Sequence, residues 1–174
     1  YGEDRITPAK KVALALAELI NTQYPKDKLD IIVFGNDARK IELKDIPYLQ
    51  VGPYHTNTVA GLELAQKLLS KSRTPNKQIM MITDGKPSCI KIGKKLYKNA
   101  YGLDRKIVKR TLAAAARCRK HNIPIVTFAI ARDPYLQQFI EAFTKANRGK
   151  AFYSDLENLG NFILKDYTKG KRRD

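Results

Sequence analysis

Apolar residues recur along this chain in two alternating rhythms. Val12, Ala13, Leu16, Leu19 and Ile20 step by threes and fours, the stripe of an amphipathic helix, and Thr7-Pro8 just ahead has the chemistry of a helix start. Residues 29–34 (LDIIVF) then form a short, almost unbroken apolar run closed by Gly35-Asn36, the pattern of a strand covered on both faces. Residues 38–43 are more polar and read as a short edge strand. The helical rhythm returns over 58–69 through Val59, Leu62, Leu64, Ala65, Leu68 and Leu69, and residues 78–83 (QIMMIT) give a second buried strand ending at Asp84-Gly85. A helix over 104–120, a buried strand over 123–130 (IPIVTFAI), a helix over 134–146, a short strand over 150–153 and a helix over 155–167 complete the pattern.

Helix alternating with apolar strand predicts an α/β fold: an open, mainly parallel sheet flanked by helices and joined by right-handed crossovers. One position breaks the pattern. The chain opens on a helix, whereas a doubly wound sheet begins with its central strand. The expectation is a sheet whose first central strand is absent from this chain, leaving a gap filled by a neighbouring molecule or by further residues.

The 174 residues suit one domain, placed at 1–168, followed by a basic tail at 169–174. No internal repeat or low-complexity segment interrupts it. No apolar run reaches the roughly 20 residues that cross a bilayer, and residues 1–10 are too polar for a signal peptide. Cys89 and Cys118 lack metal-type spacing and read as two free thiols, with a single disulfide as the alternative. Together these point to a cytoplasmic protein without a zinc site. Lys and Arg outnumber Asp and Glu by 33 to 17, a net charge of +16. That field attracts nucleic acid, an anionic membrane or an acidic protein, without choosing among them.

In open α/β sheets ligands bind beyond the carboxyl ends of the strands. Two segments at such ends carry oxygen ligands: Thr56-Asn57-Thr58 before the second helix, and Asp84 after the second buried strand. A carboxylate with hydroxyls and water suits Mg²⁺, which takes oxygen ligands at roughly 2.1 Å. Each residue also has a plainer reading. Thr56 or Thr58 would serve as a helix cap, Asn57 would stabilise a turn, and Asp84 would form the Asp-Gly turn. His55 and His121 read as structural or surface residues. Residues 86–103 are long for a connection and carry Lys86, Lys91, Lys94, Lys95, Lys98, Tyr97 and Tyr101 without an acid. They read either as a docking surface for an acidic partner, with single-stranded nucleic acid also suited, or as a solvated insertion. No phosphate-binding glycine loop, dinucleotide fingerprint or Ser–His–Asp arrangement is present.

The segments Tyr54-His55-Thr56-Asn57-Thr58-Val59-Ala60-Gly61-Leu62 and Met80-Met81-Ile82-Thr83-Asp84-Gly85-Lys86-Pro87 resemble the second and third metal-site motifs of von Willebrand factor A domains. The likeness is greatest to the intracellular bacterial branch of CoxE-like proteins and the D subunit of magnesium chelatase. It implies a metal-ion-dependent adhesion site in which Thr56 and Asp84 coordinate Mg²⁺. It also implies a non-enzymatic protein-interaction module whose metal accepts a carboxylate from the partner, an AAA+ ATPase of the MoxR or chelatase type being the expected class. Lys86, Lys91, Lys94, Lys95, Tyr97 and Lys98 would then contact that partner. Two departures accompany the resemblance: Tyr54-His55 replaces the family's Gly-Gly, and the Asp-x-Ser-x-Ser motif of its first strand is missing, so metal binding by this chain alone is expected to be weak or absent. The alternatives are a Mg²⁺-dependent phosphoryl-transfer or nucleotide-binding enzyme on a Rossmann-like fold, and a nucleic-acid-binding domain acting through its basic surface.

Overall fold

A computed structural model describes residues 6–49, 55–130, 133–153 and 158–172. Helix α1 (Ile6–Gln23) leads to strand β1 (Ile31–Phe34), which turns back at Gly35-Asn36 into β2 (Ala38–Ile41) and a short 3-10 helix, Leu43–Tyr48. Helix α2 (Thr58–Ser70), strand β3 (Ile79–Thr83) and a hairpin of β4 (Cys89–Ile92) and β5 (Lys95–Lys98) follow. The chain continues through α3 (Arg105–Lys120), β6 (Ile125–Ala129), α4 (Pro134–Asn147), β7 (Lys150–Tyr153) and α5 (Leu159–Arg172).

Strands β3, β6 and β7 form a parallel sheet in that order, with Ile79 opposite Ile125 and Val126 opposite Lys150. Alternation along the strands divides two cores. Met80, Ile82, Val126, Phe128 and Phe152 pack against α1 and α5, while Ile79, Met81, Ile125 and Ala129 pack against α2, α3 and α4. The Phe128 and Phe152 rings stack at 5.5 Å, and Phe128, Phe139 and Phe143 are wholly buried. Burying each such ring stabilises the fold by roughly 1.5–3 kcal/mol. The α/β architecture with helices on both faces is the one expected.

The sheet is interrupted where a gap was expected. Strands β1 and β2 form a separate antiparallel pair, and among the described residues β1 makes no ladder with β3. Both cores nevertheless reach this part of the chain, since Phe34 of β1 packs with the α2–α3–α4 core and Leu29, just ahead of β1, with the α1–α5 core. The gap is visible in burial: every residue of β6 is buried, whereas all four residues of β1 are only half-buried.

Two features of the fold differ from the sequence reading. Residues 86–103, expected as a loop, contain the β4–β5 hairpin, which turns at Gly93 in the left-handed region at φ 62°. The closing helix also runs on to Arg172, past the expected boundary at residue 167. Asn147 fixes the other end of the sheet. Its carboxamide accepts from the Ile125 N–H at 2.8 Å and donates to the Ala115 carbonyl at 3.0 Å, tying α4 to β6 and α3. Beside it, a Cβ at Gly149 would lie 2.1 Å from the Ile125 carbonyl oxygen, so only glycine fits.

Candidate functional site

The carboxyl ends of β1 and β3 and the start of α2 converge on one loop cluster. Asn57 organises the side next to β1. Its N–H donates to the Gly35 carbonyl at 2.7 Å, and its side-chain amide donates to the Asn36 carbonyl at 3.0 Å. Its side-chain oxygen accepts from the Ala60 N–H at 3.0 Å, which makes Asn57 the cap of α2. The cap is thus neither Thr56 nor Thr58, and Asn57 does more than stabilise a turn. Asn36 adds an acceptor for the His55 N–H at 2.9 Å.

Relieved of capping, Thr56 faces the loop after β3. The Thr56 N–H donates to Ser88 Oγ at 2.9 Å, and the Ser88 N–H donates to the Thr56 carbonyl at 2.9 Å. His55 Nδ1 lies 3.3 Å from the same Ser88 hydroxyl, a structural role of the kind expected for this histidine. The turn carrying Asp84 is held by Thr83, whose hydroxyl donates to the Gly85 carbonyl at 2.9 Å. A Cβ on Gly85 would stand 3.7 Å from Thr56 Oγ1, which places the Thr56 hydroxyl against the residue following Asp84. The two sequence-predicted ligands therefore occupy adjoining loops at one end of the sheet, with Asp84 exposed and Thr56 half-buried.

The donor set suits a hard, hydrated cation only in part. A carboxylate and a hydroxyl on neighbouring loops are the right chemistry for Mg²⁺, but an octahedral ion asks for six oxygens. Among the described residues no cluster of three His, Cys, Asp or Glu side chains stands ready to hold a metal. Tyr54, the bulky replacement ahead of His55, lies outside the described residues.

The lysine-rich segment rises from the same end of β3. Lys91, Lys94, Lys95 and Lys98 are exposed along the hairpin, and Lys86 donates to the Ala100 carbonyl at 2.7 Å. Tyr97 is turned toward the protein: its hydroxyl donates to Asp104 Oδ2 at 2.7 Å, and Lys106 Nζ sits 5.2 Å from its ring centroid. Asn99 also donates to Asp104 Oδ2, at 2.9 Å, while Asp104 Oδ1 caps α3 through the Ile107 N–H at 3.0 Å. These donors, led by Tyr97, hold the Asp104 carboxyl down to about 2, and the same contact raises the Tyr97 phenol. The hairpin is anchored rather than loose. Cys89 and Cys118 are both free and buried, with burial pushing each thiol up.

Ser88 and Asp104 were not singled out from the sequence. Ser88 had a faint signal in its place four residues after Asp84. Asp104 had a clearer one, an acidic residue directly before a helical stripe.

A parallel sheet with a threonine loop and an Asp-Gly turn meeting at its carboxyl edge is the arrangement of a von Willebrand factor A-type domain. The sequence profile described as "Rv0959-like protein, vWA domain" matches residues 1–168, and the chain belongs to that family. Protein Rv0959 of Mycobacterium tuberculosis is 29% identical over 177 residues, and Mb0984 of Mycobacterium bovis is similar to the same degree. These matches cover 98% of this chain but 26% of each relative, so the chain spans about a quarter of their length. Among solved structures, BatB from Bacteroides thetaiotaomicron shares the fold with a TM-score of 0.70 at 15% identity, covering 98% of this chain and 90% of that one. The SpRpn10 VWA domain shares it with a TM-score of 0.63 at 15% identity, over 91% and 81% of the two chains. Membership supports a protein-interaction module in general terms. No described helix is long and apolar enough to cross a membrane.

Proposed function

We propose that this domain is a non-enzymatic, cytoplasmic module that binds a protein partner through a divalent cation, Mg²⁺ in the cell, held at Thr56 and Asp84. The observation that carries this reading is the meeting of the Thr56 hydroxyl with the Asp84-Gly85 turn, locked by the two Ser88–Thr56 hydrogen bonds. Thr56 and Asp84 supply two oxygens, and water and a carboxylate from the partner supply the rest. The cation would provide charge for that carboxylate, and the exposed lysines of the β4–β5 hairpin would steer an acidic surface toward it. Because two protein ligands are few, this chain alone binds metal weakly. The partner class suggested by resemblance to CoxE-like and chelatase proteins is an AAA+ ATPase.

The test is affinity capture on this chain from cells of its source, with Mg²⁺ and with chelator, beside Thr56→Ala and Asp84→Ala. A partner set lost in chelator and in both variants supports the reading, and one unchanged in all three removes the metal from it. Mg²⁺-dependent phosphate release abolished by Asp84→Ala would favour phosphoryl chemistry instead.

A further inference from the structure

Beside the Thr56–Asp84 loop cluster, α2, α3 and the β4–β5 hairpin line a surface groove of about 1550 Å³ that reaches Asn57, the cap of α2 next to Thr56. That exceeds the roughly 300–1,000 Å³ of small-molecule pockets. Its floor is aliphatic: Val59 and Leu64 from α2, Ile92 from the hairpin, Leu103, and Val108 and Leu112 from α3 line it and remain half-buried. Among the described residues no aromatic ring lines it. Its rim is cationic, with seven Lys or Arg side chains against two acids, and one of those acids, Glu63, lies 3.7 Å from Arg117.

Spacing adds direction to this composition. Ala60 and Leu64 stand one helical turn apart on α2, as do Val108 and Leu112 on α3, so each helix offers the groove an i, i+4 ridge. Arg105 and Lys109 repeat that step beside the α3 ridge and are exposed. Lys67 and Lys91 lie across from them on α2 and the hairpin. The hairpin wall is fixed in place by the Arg110 guanidinium, which donates to the Lys91 carbonyl at 3.4 Å.

We propose that this groove is a docking site for an acidic amphipathic helix of a partner protein. The helix lays a leucine-type face on the aliphatic ridges and directs its Glu and Asp side chains to the cationic rim. Aliphatic ridges at helical spacing fit a third helix. Single-stranded nucleic acid would instead need aromatic platforms for its bases, and the described lining has none. The groove requires no metal, and neither Thr56 nor Asp84 lines it, although it shares the hairpin with the partner surface proposed for that site.

The test uses a fluorescent helical peptide with Leu at i, i+3, i+4 and i+7 and Glu elsewhere, its scrambled isomer, and an oligothymidine, each titrated against the full chain by anisotropy. Binding of the patterned peptide at least tenfold tighter than the scrambled one, lost at least tenfold in the exposed-site double variant Lys67→Glu/Lys109→Glu, supports the proposal. Preserved far-ultraviolet circular dichroism would show that this variant folds. Equal binding of the two peptides, no effect of the double variant, or tighter binding of oligothymidine reversed by that variant overturns it. Asp84→Ala is expected to leave peptide binding unchanged; a tenfold loss there assigns the peptide to the metal end and overturns the groove.

Discussion

Ser88 and Thr56 are joined by a reciprocal pair of hydrogen bonds, Thr56 N–H to Ser88 Oγ and Ser88 N–H to the Thr56 carbonyl, each at 2.9 Å. The pair welds the loop before α2 to the loop after β3, so the Thr56 hydroxyl and the Asp84 turn move together. Ser88→Ala removes the bond from the Thr56 N–H, together with the longer contact to His55 Nδ1, and leaves a partly buried N–H unsatisfied, at a cost of about 1–2 kcal/mol. Denaturant unfolding should show that loss, and amide chemical shifts should change at Thr56 and Gly85 but hardly at Asn147. An unchanged midpoint would show that the pair does not hold the loops.

The interrupted sheet makes a residue-by-residue prediction for hydrogen exchange. Ile79 N–H donates to the Pro124 carbonyl and Thr83 C=O accepts from Ile130 N–H, so this phase of β3 faces β6. Alternation then turns the amides of Met80 and Ile82 to the opposite edge, which carries no ladder among the described residues. Met80 and Ile82 should exchange at least tenfold faster than Met81. Equal protection would mean that the gap is closed in solution.

Most of the fold was legible because helical and strand rhythms differ and because buried parallel strands read as apolar runs. The QIMMIT and IPIVTFAI segments became β3 and β6 on that basis. The hairpin was not legible: Cys89–Ile92 and Lys95–Lys98 mix lysines with aliphatics over only four residues each, too short for a period to show. At the site, Thr56 and Asp84 were picked out from motif position as candidates, and the Asn57 cap, a bond to an N–H only three residues on, was passed over for the neighbouring threonines. The clamp by Ser88 and the tie of Asn57 to Asn36 depend on contacts across 20 or more residues. Local pattern does not encode such contacts.

Asp104 predicts how acid acts on the hairpin. Its carboxyl is held at about 2 against an ordinary 3.8, chiefly by the Tyr97 hydroxyl and by Asn99. A depressed carboxylate contributes stability that is fully present above the unfolded value and is lost as pH falls through the folded one. Thermal midpoints should therefore fall between pH 4 and about 2 more steeply in the native chain than in Asp104→Asn. Parallel pH profiles would contradict the anchor.

The Asn147–Gly149 corner should be intolerant of small changes. Asn147→Ala strands the Ile125 N–H in the core, costing about 1–3 kcal/mol. Gly149→Ala drives a methyl into the Ile125 carbonyl and costs about 1–3 kcal/mol by overpacking. Urea melts measure both. Neither change should alter binding at the far end of the sheet once the protein is folded, which separates structural residues from the candidate ligands.

The central claim is that Thr56 and Asp84 hold a divalent cation, and Mn²⁺ in place of Mg²⁺ tests it most directly. Paramagnetic broadening of amide resonances should appear first at Thr56, Asn57, Asp84 and Gly85, spare Asn147, and vanish in Asp84→Ala. Broadening confined to other parts of the chain, or unchanged by Asp84→Ala, would contradict it.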